Sequence, residues 1–224
     1  MTKIFTSKIF HLYFLAYFLI VGGVFMVVLG FGSTILSEIH YYTDKITGVK
    51  YVLDENNKSD TGKTGIFSQV FNREVDLKPV NQDFSIIIEK IGVDAPVIKN
   101  VSVVNEKEYF EALKKGVAHA KGKSLPGENG NVFLFAHSSI EFWKMGPYAT
   151  VFNQLRRLEN NDIIYLVYQG REYKYRVFNK LVVSGFDTKP YDLDYKLGSV
   201  LTLQTCDPPG TTFNRLIIRA YLVN

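Results

Sequence analysis

The sequence predicts a mainly β domain of about 140 residues, too small for two comfortable cores, carried behind one N-terminal membrane helix. Three observations predict it. Residues 9–31 contain no charged side chain. Beyond residue 83 the chain breaks into short β-branched and aromatic runs bounded by Gly, Pro, Asn and Asp. Aromatics are abundant, with 17 Phe and 14 Tyr, which suits strands and a membrane anchor alike.

A helix over 9–31 would reach about 35 Å, enough to cross a bilayer with some tilt. Lys3 and Lys8 stand before or at its start and no charge follows until Glu38, so the positive-inside bias keeps residues 1–8 in the cytoplasm and exports the rest. A cleaved signal peptide has a shorter apolar region, about 7–15 residues, and Gly30-Phe31-Gly32 is a poor cleavage site. An uncleaved signal anchor is therefore expected.

Residues 32–82 read as an extracytoplasmic stalk, because 43–82 is polar, 54–60 is Asp-Glu-Asn-Asn-Lys-Ser-Asp, and little apolar surface is available to bury. Ile66, Phe67, Val70 and Phe71 could make one amphipathic turn against the domain.

Within 83–224, strands are expected at 84–90, 95–101, 131–136, 162–168, 171–183, 199–206 and 215–223, with Gln169-Gly170 as a tight hairpin turn. Helical spacing marks 106–115, with Phe110 and Leu113 on one face, and 148–158, with Phe152 and Leu155. Closing so many short strands into a barrel removes exposed edges.

Composition narrows the function classes. A net charge of +4, with bases scattered among acids, argues against a nucleic-acid partner. One cysteine and no His-x-x-x-His pair leave no zinc framework, and no glycine-rich phosphate loop stands out. Glu106, Glu108 and Glu111 fall on a predicted helix surface, where solvation accounts for them.

Cys206, the lone cysteine, ends an apolar strand in an exported domain, where a leftover thiol is either reactive, paired with another chain, or buried as a small hydrophobe. A reactive thiol needs a neighbour to take or balance its proton. His11 and His40 lie at the membrane. His137 follows the run Val132-Phe133-Leu134-Phe135 and opens a loop with Ser138-Ser139, which delivers it to a rim; His119 is the rival base. Acyl transfer also needs a cation or donor for the developing oxyanion. Arg215 begins the strand after the cysteine loop, but Arg219 shares its face and spacing alone does not choose between them.

These residues resemble the sortases, membrane-anchored cysteine transpeptidases. The hallmark Thr-Leu-x-Thr-Cys strand end matches 202–206, and an arginine opening the next strand matches Arg215. Lys90-Ile91-Gly92-Val93-Asp94-Ala95-Pro96-Val97 resembles the early strand pair, and Leu125-Pro126-Gly127-Glu128-Asn129-Gly130-Asn131-Val132 the approach to the histidine strand. The likeness covers roughly 84–223. Ala136 stands where the family usually has glycine before its histidine, and Asp207-Pro208-Pro209-Gly210 looks like the class D and E branches.

The resemblance implies a closed, eight-stranded β-barrel with Cys206 as nucleophile, His137 as general acid/base and Arg215 stabilising oxyanion or substrate. It implies cleavage of a Leu-Pro-x-Thr-Gly-like sorting signal at Thr–Gly through a thioacyl enzyme, then transfer to an amine of a cell-wall peptide or a pilin lysine. Phe186, Pro190, Tyr191, Leu193 and Leu197 in the 184–198 loop, with Thr205, are candidates for the signal's groove, although the loop could equally pack on the barrel. No cofactor is expected, and the sequence leaves calcium dependence open. Competing readings are an L,D-transpeptidase-like or hydrolytic cysteine peptidase, and a non-catalytic, membrane-tethered adhesion or sensor barrel. Gln204-Thr205-Cys206 lacks the Ser/His-x-Gly approach of the L,D-transpeptidases.

Overall fold

The computed structural model describes residues 2–53, 73–138, 146–187 and 198–223. The predicted amphipathic turn at Ile66–Phe71 lies outside them. Helix α1 (Thr2–Thr47) comes first, followed by the short strands β1 (Lys50–Leu53) and β2 (Glu74–Leu77). Next are β3 (Phe84–Ile88), β4 (Val93–Val101), helix α2 (Glu106–Lys115), β5 (Val117–Ala120), β6 (Gly130–Phe135), β7 (Ile163–Tyr168), β8 (Arg171–Ser184), β9 (Ser199–Asp207) and β10 (Asn214–Leu222). Strands β3 to β10 close into the expected eight-stranded barrel, in the order β10-β8-β7-β3-β4-β5-β6-β9.

The barrel interior is filled by alternate residues such as Ile86 and Ile88 of β3, Leu201 and Leu203 of β9, and Leu216 and Ile218 of β10. Several strands are also covered outside. Helix α2 sets Ala112 and Leu113 against Phe133 and Phe135, while Leu53 and Leu77 cover Ile87 and Tyr165. That double burial explains why Ile86–Ile88 and Val132–Phe135 read as unbroken apolar runs rather than alternating ones. Asn105 caps α2 by accepting the Glu108 amide at 3.2 Å. The Gln169-Gly170 hairpin forms as predicted, both residues having positive φ (51° and 71°).

Three expectations are corrected. The stalk does not begin at residue 32, because α1 runs on to Thr47 and ends at Gly48 (φ 71°), with the Val49 amide reaching back to the Asp44 carbonyl at 2.8 Å. No Gly or Pro interrupts 33–47, so the helix has no cause to stop earlier. Lys50–Leu53 and Glu74–Leu77 pair in parallel and belong to the domain's packing. Residues 148–158 are turns with a 3₁₀ segment at Leu155–Arg157, not an α-helix; successive i→i+3 bonds (Leu155 to Phe152 at 3.1 Å, Leu158 to Leu155 at 3.1 Å) bring Phe152, Leu155 and Leu158 to one side, where all three plug the barrel core. Strand β5 is absent from the predicted strands because four residues are too few to carry a period.

Candidate active site

Cys206 lies near the end of β9 and Arg215 near the start of β10, and the antiparallel register sets them directly opposite each other. Leu201, Leu203 and Thr205 fill the inner face of β9, so alternation puts Cys206 on the outer face; Leu216 and Ile218 likewise put Arg215 outside. On the other flank β6 runs parallel to β9, with Phe135 beside Gln204. The pairing continues past the strand through the Ala136 amide to the Gln204 carbonyl (3.1 Å) and the Thr205 hydroxyl to the Ala136 carbonyl (3.0 Å). One step further brings His137 level with Cys206. His137, Cys206 and Arg215 thus form a lateral row across β6, β9 and β10 at one end of the barrel.

The His137 ring is held by α2, edge-on to Tyr109 and stacked on Phe110, each at 5.6 Å between centroids. Its Nε2 is buried with no hydrogen-bond partner among the described residues. Burial lowers its pKa to about 4, so the imidazole is neutral at pH 7. Cys206 is shifted the other way. Burial raises the thiol, against the pull of the Arg215 charge and a Ser138 hydrogen bond. Both groups therefore rest uncharged at pH 7.

Ser138 ties the two loops of the site together. Its hydroxyl donates to the Cys206 carbonyl at 2.9 Å, and its own carbonyl accepts the Gly210 amide at 2.9 Å. Arg215 donates through Nη1 to the Thr212 and Asn214 carbonyls (3.0 and 3.1 Å), which anchors one edge of its guanidinium. Arg219 sits opposite Thr202, four residues back along β9, about 13 Å from the Cys206 position.

His119, the rival base, is fully buried; its Nδ1 accepts the Asn100 amide at 3.3 Å and its Nε2 donates to the Ser124 carbonyl at 3.0 Å. Both nitrogens are occupied, as befits a structural histidine. Of the groove candidates, Phe186 is 96 % exposed beside the site, its loop joined to the next by the Gly185 amide bonding the Phe213 carbonyl (2.8 Å). Thr205 is buried, facing inward with its hydroxyl spent on Ala136. Pro190, Tyr191, Leu193 and Leu197 lie outside the described residues. A cavity of about 1150 Å³ lies between α1 and the barrel end, lined by none of His137, Cys206 or Arg215.

Sequence reasoning missed Tyr109, Phe110 and Ser138. Phe110 was placed on one helix face with Leu113; Leu113 fills the core, whereas Phe110 packs on the histidine. Ser138 follows His137 directly, a weak signal that nothing in the sequence linked to the Cys206 backbone.

The Sortase domain family matches residues 86–223, well over half of the chain and the whole of this row. The chain belongs to the sortase family. Sortase D of Bacillus subtilis (strain 168) is 25% identical over 193 residues, 85% of this chain and 87% of that protein. Among solved structures, a lid mutant of sortase A from Corynebacterium diphtheriae is 29% identical with a TM-score of 0.53, over 64% of this chain and 71% of that one. Sortase C from Clostridium perfringens with the C-terminal cell wall sorting motif is 27% identical with a TM-score of 0.51, over 62% and 69%. This sortase is a cysteine transpeptidase, and its likeness to sortase D is consistent with a class D or E character. Its α1 carries one stretch, His11–Gly32, long and apolar enough to cross a membrane, as a sortase anchor would.

Proposed function

We propose that this sortase cleaves a Leu-Pro-x-Thr-Gly-like sorting signal between Thr and Gly and passes the acyl group to an amine of a cell-wall peptide or a pilin lysine. The observation that carries the reading is the register that sets His137, Cys206 and Arg215 level on three adjacent chain segments at one end of the barrel. The structure of a related sortase C with the cell wall sorting motif supports the substrate class. His137 takes the Cys206 proton as sulfur attacks the threonine carbonyl carbon, and Arg215 balances the oxyanion. The C–N bond then breaks, the imidazolium gives its proton to the leaving glycine amine, and a thioester remains. An incoming amine attacks that thioester, loses a proton to His137, and the thiol is restored with the proton it gave up.

On this reading the N-terminus lies in the cytoplasm and the barrel outside, as the Lys3 and Lys8 bias requires. The exposed Phe186 serves the signal's apolar residues. The test is a product assay with the full chain, a peptide bearing the signal and an excess of amine. The amide product should dominate over the free acid, and Cys206→Ala should abolish both. Hydrolysis product alone would make the enzyme a peptidase, and turnover surviving Cys206→Ala would end the proposal.

A further inference from the structure

Helix α1 does not simply tether the barrel but grips it at one end. Five residues beyond Gly32, Ser37 accepts from Asn153 Nδ2 and Gln154 Nε2 at 3.3 and 3.4 Å. The Glu38 carboxylate accepts from Gln154 Nε2 at 3.0 Å, from Arg156, and from Arg157 Nη2 at 2.9 Å. The Arg157 guanidinium also lies 4.5 Å over the Tyr41 ring and 5.3 Å over that of Tyr42. The arginines are rigidly mounted, because Leu155 and Leu158 on either side are buried in the barrel core. Burial alone would raise the Glu38 pKa, but the bonds from Gln154, Arg156 and Arg157 outweigh it and hold the carboxyl below its usual value. A second grip follows, where Tyr51 donates to Asp44 at 2.7 Å and the Leu53 amide to Glu89 at 2.6 Å.

All these contacts fall on the end of the barrel that carries the site. Glu89 follows the upper end of β3, and the Asn153–Arg157 segment leads into β7 at that same end, whereas the Tyr168–Arg171 hairpin marks the other. Strands β3, β6, β8 and β9 all finish at the first end, where His137 and Cys206 stand. The apolar stretch of α1 makes no burying contact with the barrel. Ser37 stands about 8 Å along the helix from Gly32. The far hairpin is about 20 Å more distant along the barrel axis.

We propose that residues 33–47 form a rigid strut, locked by Glu38, that holds the catalytic end of the barrel toward the membrane surface. The enzyme is then arranged for a polypeptide tethered in the same membrane, with its scissile bond close to the headgroups. This rests on the anchor reading of α1. A free stalk would let the barrel turn either end to the lipid; the clamp forbids it.

Because Cys206 is the only cysteine, single-thiol chains are simple to make in a Cys206→Ala background. Full chains carrying Phe213→Cys (catalytic end, 73 % exposed) or Arg171→Cys (far end) are labelled with a donor fluorophore and placed in vesicles with a headgroup-labelled acceptor lipid. Energy transfer should be clearly greater from position 213 than from 171, and adding Glu38→Ala should shrink the difference. A vesicle-bound chain with equal transfer, or more from 171, overturns the orientation alone. Failure to float with vesicles overturns the anchor reading and the strut with it. With Cys206 intact, Glu38→Ala should slow turnover of a vesicle-tethered peptide at least threefold while sparing the same peptide in solution, and Glu38→Gln should lie between. Unchanged rates on both substrates would overturn the functional consequence.

Discussion

Arg215 faces Cys206 across the β9–β10 ladder, and Arg219 faces Thr202. Directly opposed residues of an antiparallel pair project to the same side, with Cα atoms about 4.5–5.5 Å apart. Arg215→Lys keeps the charge but loses the planar fork, half of which is already committed to Thr212 and Asn214. It should lower kcat/KM for acyl transfer by about 10²-fold, as loss of an oxyanion donor does. Arg219→Lys should leave the chemistry nearly unchanged in steady-state assays of folded enzyme.

The resting charges give a pH signature. Alkylation of Cys206 by iodoacetamide should be slow at pH 7 and should rise through a midpoint above that of an ordinary cysteine, because burial raises the thiol. A fast reaction at pH 6 would mean a resting thiolate.

Ser138→Ala removes the hydroxyl that helps pull the thiol down and that holds the Cys206 carbonyl. The alkylation midpoint should move further up, and stability should fall by about 1 kcal/mol, the usual net worth of one such bond. A midpoint unmoved by this substitution would confine Ser138 to bracing the backbone.

His137 contributes to stability with a definite sign. Its folded pKa of about 4 lies below the unfolded value near 6.5, so the unfolded chain binds the proton first as pH falls. The contribution is complete above pH 6.5 and is lost as pH falls toward 4. Melting temperatures should therefore drop over that window more steeply in the wild type than in His137→Gln. Phe110→Ala, which opens the imidazole to water, should raise the histidine pKa toward its ordinary value in NMR titration and lower kcat more than KM.

His119→Ala should destabilise the barrel without touching the chemistry. It empties a fully buried site and leaves the Asn100 amide and Ser124 carbonyl unpaired, which costs about 1–3 kcal/mol for each buried group. Specific activity per folded molecule, corrected by a denaturation curve, should remain near that of the wild type.

That Cys206, His137 and Arg215 would meet at one end of the barrel was legible because each sits at the boundary of a strong apolar run, and strand ends are where a barrel displays side chains. The choice between Arg215 and Arg219 was not, since both share a face and only the register with β9 separates them. Residues 33–47 went unread because a stalk is recognised by polarity. The value of Ser37, Glu38 and Tyr41 lies in partners more than a hundred residues away. Phe110 was misplaced for a related reason: a helix face predicts that a ring will be covered, not which ring it will cover.

The intact mass of the enzyme after mixing with a sorting-signal peptide, in the absence of added amine, tests the catalytic row most directly. The mass should rise by that of the acyl fragment ending in threonine, mapped by digestion to Cys206, released by hydroxylamine, and absent from Cys206→Ala. No adduct in an enzyme that nonetheless turns the peptide over, or an adduct on any other residue, would contradict it.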